Sequence, residues 1–442
     1  MAYAGKSALR RIGVVAVFAL SIASCGGDDD DSADATDPPP ATTTAATSPA
    51  SAPAATTEPA PATSAPGTTP SVDSAAPTTA SAPNEEPSGE PVILYYTETG
   101  VQGDVADVLE AIESGVNSRG GIAGRPLSLE TCKDNLDVNA ASACVQEAVD
   151  AGALAIIGNS MTCGSQFSDI IQQAEIASVS DQLFCPELFA NPNVFPFNAG
   201  FFSNVAGSAL GVEFFDQPNI LVATLDCPAC HAFAELFGSV AGPAGGVVTE
   251  TVFIPLTATD LSSYAAQLAA AEGVLSDGNT VEISARLAAE LDQQGFDQPI
   301  IRNPTTFDAY VFGEMFDNPT NSYIGSGFDL DSEGFQMFDA DLTTFSSRME
   351  RNGVFQAIWL GVNVIANIAP ELSELTPAAV LEHFQTSTSI DTFGMTPEPL
   401  DFTVKSDALG GTIPQVSNEM VALYKYENGA LVRQTDFVDM LP

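Results

Sequence analysis

The chain has 442 residues and carries 57 acidic side chains against 13 Lys and Arg, a formal net charge of −44. Neutralising phosphates takes clustered cations, so this balance speaks against nucleic acid as a partner and reads instead as an outward solvated surface. With only two histidines, a His-based metal cluster or a Ser/His/Asp triad has almost no material.

Lys6, Arg10 and Arg11 form a basic start, and Ile12 to Ile22 make an apolar segment too short to span a bilayer comfortably. That pattern predicts a secretory signal over residues 1–24. It closes on Ile22-Ala23-Ser24-Cys25, which resembles the bacterial lipobox. The resemblance implies cleavage before Cys25 and acylation of that residue, which anchors a protein to the membrane face without spanning it. The alternative is an ordinary signal peptide followed by chance by a cysteine. Residues 25–91 run through Asp28-Asp29-Asp30-Asp31 into Ala, Thr, Ser and Pro with almost no large apolar side chain. Such a stretch cannot recover the entropy of ordering and is expected to be a disordered, semi-stiff tether, open to O-glycosylation.

From Val92 onward, apolar strands alternate with amphipathic segments. Strands are expected at 92–96, 127–130, 154–157 and 176–179, with helices over 104–118, 138–150 and 167–174 between them. After a break at 195–202 the rhythm restarts with a strand at 219–224, a helix over 231–240 and a strand at 247–254. A helix over 261–272, a short strand near Val274, a helix over 281–294 and a strand at 299–302 follow. This alternation argues for parallel sheets covered on both faces, and the restart argues for two of them. A strand at 322–325 and helices over 356–369 and 377–385 look like a return to the first lobe. The tail, 421–426 and 431–435 around Glu427-Asn428-Gly429, reads as a β-hairpin. No internal repeat is evident, and there is no Walker A or dinucleotide glycine motif. Acidic residues are plentiful, but no spacing singles out a glycosidase pair.

Removing Cys25 leaves Cys132, Cys144, Cys163, Cys185, Cys227 and Cys230, an even set suited to an oxidising compartment. Six cysteines can pair in many ways. Neighbouring strand ends favour Cys132–Cys144 and Cys163–Cys185, with Cys227–Cys230 a local pair.

The joint between the first helix and the second strand is the most specific motif. Val105, Val108, Leu109, Ile112 and Val116 make one apolar helical face, and the pair Gly120-Gly121 can stop the helix in the left-handed conformation. Ile122 can then plug back onto the core while Gly124 turns the chain into the strand. In its wording, Asn117 to Leu127 resembles the N-x-x-G-G-I-x-G-R-x-L signature of the leucine/isoleucine/valine-binding family, the extracytoplasmic solute receptors of ABC importers. Leu154-Ala155-Ile156-Ile157-Gly158 and the Ile176 to Leu188 segment with its Pro-Glu-Leu are similar as well. The resemblance implies an α/β fold of two doubly wound parallel-sheet lobes joined by a three-segment hinge, the type I periplasmic-binding fold. It places crossings near Gly200, Phe316 and Pro397, with lobe 1 as 92–200 plus 317–396 and lobe 2 as 201–316 plus 397–442.

Ligands of open α/β sheets sit beyond the carboxyl ends of the strands. That rule selects Thr97, Glu98, Ser160, Thr162, Ser180 and Asp181 from the first sheet, and Asp226, Asp277, Asn279 and Thr305 from the second. Short hydroxyl, amide and acidic groups suit a small polar solute, although each could equally satisfy local backbone. The family's amino-acid receptors hold the α-carboxylate in the first lobe with N–H and hydroxyl groups. Here Phe184 departs from the pattern, and Glu98 and Asp181 add negative charge, so amides, urea-like solutes, aromatic acids and small peptides also enter.

Cys227-Pro228-Ala229-Cys230-His231 offers a rival reading. A C-x-x-C opening a helix suits thiol–disulfide exchange, since a helix N-terminus stabilises a thiolate. The same residues spell a c-type haem attachment, for which His383 is remote and only a methionine is left as second axial ligand. A structural disulfide at the cleft lip is the plainer role. The resulting expectation is a non-enzymatic, cofactor-free solute receptor, lipid-anchored on the extracytoplasmic face of the cell membrane. It captures a small molecule between its lobes and hands it to ABC permease subunits. The alternatives are a ligand sensor without transport and a thiol–disulfide oxidoreductase using Cys227 and Cys230.

Overall fold

The computed structural model of the protein describes residues 86–99, 105–135, 137–160, 165–183, 186–309, 312, 321–347 and 350–441. The expected signal, Cys25 and nearly all of the tether lie outside the described residues, as do Thr162, Cys163, Phe184, Cys185 and Phe316.

The first lobe grows by alternation: β1 (Val92–Glu98), α1 (Ala106–Ser118), β2 (Leu127–Lys133), α2 (Val138–Asp150), β3 (Ala155–Ser160), α3 (Ser165–Gln173), β4 (Ser178–Val179), α4 (Pro186–Phe189) and β5 (Val194–Phe195). Its sheet is wholly parallel in the order β2-β1-β3-β4-β5. The joint at the α1 end shows why its residues are what they are. Gly120, Gly121 and Gly124 all take positive φ, and a Cβ on Gly121 would lie 2.0 Å from the Arg125 carbonyl oxygen. Ile122 is fully buried, as its place in the motif demands. The Asn117 side chain accepts from the Leu127 N–H at 2.7 Å and donates to its carbonyl at 3.1 Å, fixing where β2 starts.

The second sheet takes α5 (Phe202–Phe215), β6 (Asn219–Leu225), α6 (Pro228–Ala241), β7 (Val247–Ile254), α7 (Ser262–Ala269), β8 (Val274–Gly278), α8 (Val281–Gln293), β9 (Ile300–Arg302) and β10 (Ser322–Ser326). Strands β6 to β10 run parallel, and the order is β12-β11-β10-β9-β8-β6-β7. Helix α5 is buried on nearly every side. It seats on the sheet through glycine against glycine, since a Cβ on Gly207 would come within 2.6 Å of the Gly325 Cα.

The chain then returns to the first lobe as α9 (Glu333–Phe345), α10 (Gly353–Ile368) and α11 (Pro377–Thr386). Asn352 and Thr376 cap the last two by accepting backbone N–H groups. Helix α10 is buried along nearly its whole length and lies sealed against β3: a Cβ on Gly158 would strike Ile358, and one on Gly361 would strike Ile157. Arg119, from the glycine joint, donates to Asp341 of α9 at 2.7 Å, and the same carboxylate accepts the Trp359 indole N–H of α10 at 2.7 Å. After the short α12 (Ala408–Gly411) the tail rejoins the second sheet as β11 (Met420–Glu427), β12 (Ala430–Arg433) and β13 (Val438–Asp439), all antiparallel pairings. Asn428 and Gly429, both at positive φ, make the hairpin turn.

One expectation is corrected. The strand at 322–326 does not return to the first lobe but pairs with β9 and β11 in the second sheet. The second crossing therefore follows Ser326 instead of falling near Phe316. A short strand buried along its whole length, Ser-Tyr-Ile-Gly-Ser, carries no local mark of which sheet will take it. Helix α9 is an element the sequence pattern does not announce, and α10 starts three residues before its expected position.

Candidate functional site

Both sheets reverse their strand order beside the first strand of the lobe, at β1/β3 and at β6/β8, and such reversals open a crevice at the carboxyl ends of the strands. The first-lobe residues converge there. The Thr97 hydroxyl donates to the Asn159 side-chain oxygen at 3.2 Å, tying the ends of β1 and β3. Glu98 is fully buried and meets the Lys133 ammonium at 3.1 Å across from β2. Ser160 ends β3.

Ser180 and Asp181 follow β4 directly, and both are fully buried. Ser180 takes φ +58°, unusual for a residue with a Cβ. One oxygen of Asp181, Oδ1, accepts the Asn159 N–H and the Ser178 hydroxyl, each at 3.0 Å. Among the described residues the other, Oδ2, has no hydrogen-bond partner, and neither has the Ser180 hydroxyl. Burial pushes the Asp181 carboxyl up to about 8, against the pull of the Ser178 and Asn159 hydrogen bonds.

On the second lobe, Asp277 ends β8 in a sealed ion pair, its Oδ2 accepting from Arg302 of β9 at 2.7 Å. The guanidinium also lies 4.6 Å from the Phe312 ring centre and donates to the Ser322 hydroxyl. Oδ1 of Asp277 takes the Asn279 amide at 2.8 Å, and Asn279 Oδ1 is buried without a donor among the described residues. Asp277 is thus committed to organising the strand ends. Thr305 donates to Asn303 at 2.8 Å within the loop after β9, and Thr306 donates to the Asn279 carbonyl at 3.0 Å, which ties the two loops together. Asp226 stands apart. It is half-exposed, 2.8 Å from His231, whose ring stacks on Phe253 at 3.7 Å.

A small cavity of about 10 Å³, room for about one water, lies where the crossings meet the two lobes, lined by Gln182, Asn198, Pro304, Ser326, Gly353 and Gln356 among others. The Gly353 N–H donates to the Pro304 carbonyl at 3.0 Å, a contact between the α10 start and the β9 loop of the other lobe. Asn198, Ser326 and Gln356 were not singled out from sequence. Gln356 carries the one usable signal, an amide inside the apolar run Val354-Phe355-Gln356-Ala357-Ile358.

The cysteines pair as Cys132–Cys144, joining the end of β2 to α2, and as Cys227–Cys230 at the start of α6. Among the described residues no group of three His, Cys, Asp or Glu is placed to hold a metal ion.

Two α/β lobes, each built on a sheet with a parallel centre and joined by a chain that crosses between them three times, define a type I periplasmic-binding architecture. Residues 95–406 match the periplasmic binding protein family, and the chain belongs to it. Solved structures agree on the fold. A branched-chain amino acid ABC transporter protein from Thermus thermophilus with bound valine shares 14% identity over 79% of this chain and 96% of its own, with a TM-score of 0.64. A fatty acid ABC transporter substrate-binding protein from Thermomonospora curvata shares 14% over 80% and 94%, at 0.61. An ABC transporter substrate-binding protein from Desulfitobacterium hafniense in complex with Leu shares 17% over 78% and 100%, at 0.54. No curated protein matches the chain in sequence.

Proposed function

We propose that this periplasmic binding protein captures a small polar solute between its lobes and delivers it to an ABC importer, held at the extracytoplasmic membrane face by lipid on Cys25. The observation that supports the reading is the order reversal in each sheet, beside which buried polar side chains such as Thr97, Ser180 and Asn279 gather at the carboxyl ends of the strands. A solute enclosed between the lobes would give buried strand-end hydroxyl and amide groups hydrogen-bond partners. Only a solute that binds the closed form better shifts the population, and that difference is what a permease would read. The residues proposed to line the site are Thr97, Ser160, Thr162, Ser180 and Asp181 from lobe 1, with Asn279 and Thr305 from lobe 2. A sensor that uses the same clamp without transport is the second reading, and the chemistry of capture is common to both.

The test is small-angle scattering of the full chain with and without candidate solutes, paired with thermal shifts. A solute that raises the melting temperature and contracts the envelope supports capture. An envelope unchanged by every solute that raises the melting temperature removes it.

A further inference from the structure

We propose that the Cys227–Cys230 disulfide at the start of α6 is a site of thiol–disulfide exchange that accepts electrons from a dithiol, a chemistry separate from solute capture and independent of it. Three observations carry it.

The first is how little this bridge braces. Cys132–Cys144 ties β2 to α2 across a sequence separation of 12, and Cys144 is sealed in the core. Cys227–Cys230 has a separation of 3 and stays within one turn. That turn is already closed without it, since the His231 N–H donates to the Cys227 carbonyl at 3.0 Å. A shorter loop also constrains the unfolded chain less.

The second is access. Cys227 and Cys230 follow the carboxyl end of β6, and both are half-buried instead of sealed. A thiol can approach such a bridge with the fold intact, which is the setting of reactive cysteines and not of inert ones.

The third is the leaving group. Cys227 is the N-cap of the 14-residue α6, and its Sγ accepts the Cys230 N–H at 3.2 Å. That N–H and the positive end of the helix favour a thiolate at Cys227. The His231 ring, one residue past Cys230 and 2.8 Å from Asp226, places an imidazole at the same turn that can carry a proton.

The exchange then runs in two displacements. One thiolate of the dithiol attacks the Cys230 sulfur, the Cys227–Cys230 bond breaks, and its electron pair leaves on Cys227 as the thiolate. The second thiolate of the dithiol attacks its own sulfur in the mixed disulfide and expels the Cys230 thiolate. The dithiol ends as a disulfide, oxidised by two electrons, and Cys227 and Cys230 end reduced. Its two protons pass to the Cys230 sulfur and to Cys227 or solvent.

The experiment equilibrates the full chain in buffers of graded reduced-to-oxidised dithiothreitol ratio, quenches by alkylation and maps the peptides by mass spectrometry. Cys132–Cys144 serves as the internal reference. The expected result is half-reduction of Cys227–Cys230 at a ratio about tenfold or more below that needed for Cys132–Cys144. A second measurement follows thiolate formation at Cys227 in Cys230→Ser by ultraviolet absorbance, with a midpoint expected below the ordinary cysteine value of about 8.5. If that variant fails to fold, the pH dependence of the reaction of the selectively reduced, unaltered chain with an aromatic disulfide reports the same midpoint. A bridge that is merely exposed would open early with an ordinary midpoint, and that outcome overturns the proposal. Opening of both bridges at the same ratio overturns it as well. Neither measurement involves a solute, so capture is decided separately by scattering.

Discussion

Arg302 and Asp277 meet at 2.7 Å with both side chains sealed from solvent, joining the carboxyl ends of β9 and β8. Their attraction offsets the cost of burying either charge, so removing one partner leaves the other stranded. Arg302→Met or Asp277→Leu alone is expected to cost about 3–5 kcal/mol. The double variant should recover much of that loss. Urea denaturation followed by fluorescence of Trp359, the sole tryptophan, measures both.

Asp181 titrates higher folded than unfolded. Its folded value is raised to about 8 from an ordinary 3.8, so between those limits the folded state binds the extra proton. Its contribution to stability is full below pH 3.8 and drains away as pH climbs through 8. Stability curves of the unliganded protein from pH 5 to 9 should fall less steeply in Asp181→Asn than in the unaltered chain.

The Cys132–Cys144 disulfide closes a loop with a sequence separation of 12 between β2 and α2. Replacing both by Ser should lower stability by about 2–3 kcal/mol through a freer unfolded chain. Thermal denaturation of the double variant checks this.

Gly121 and Gly124 both hold positive φ, but only Gly121 lacks room, its added Cβ lying 2.0 Å from a backbone oxygen while Gly124 has nothing within 4 Å. Gly124→Ala should cost about 1 kcal/mol from conformation alone. Gly121→Ala should cost several times more, since the Arg125 carbonyl must move. Melting temperatures of the two variants give the order directly.

A Cβ on Gly353 would lie 2.8 Å from the Pro304 carbonyl oxygen, where the lobes touch. Alanine favours the helix by about 1 kcal/mol over glycine, so Gly353→Ala should not unwind α10. It should instead prop the β9 loop away from that helix. Scattering should then show a larger radius with solute present, at little change in melting temperature without it.

Much of the fold was legible because it is written locally. The joint at Gly120 and Gly121, the alternation of apolar strands and the Asn428-Gly429 turn each act over a few residues. Pairing across the sheet was not legible. Nothing near Ser322 says that its strand sits beside β9, and Asp277 reads as an open loop carboxylate until Arg302 is found opposite it. A signal for that pair did exist: a charged residue at the carboxyl end of each of two apolar strands. Seeing it required knowing they are neighbours. The half-exposed Asp226 and the buried Asp181 looked alike in sequence, since both follow a strand, and only burial separates them.

Helix α10 covers β3, yet the second sheet through β10 lies between them in the chain. On the ribosome, the face of the early sheet that this helix will seal must wait, uncovered, through synthesis of those intervening strands. Apolar surface left open in a nascent chain invites aggregation. Folding of the N-terminal half is therefore hostage to translation of the C-terminal one, and a truncation before Gly353 would leave β1 to β5 without their lid.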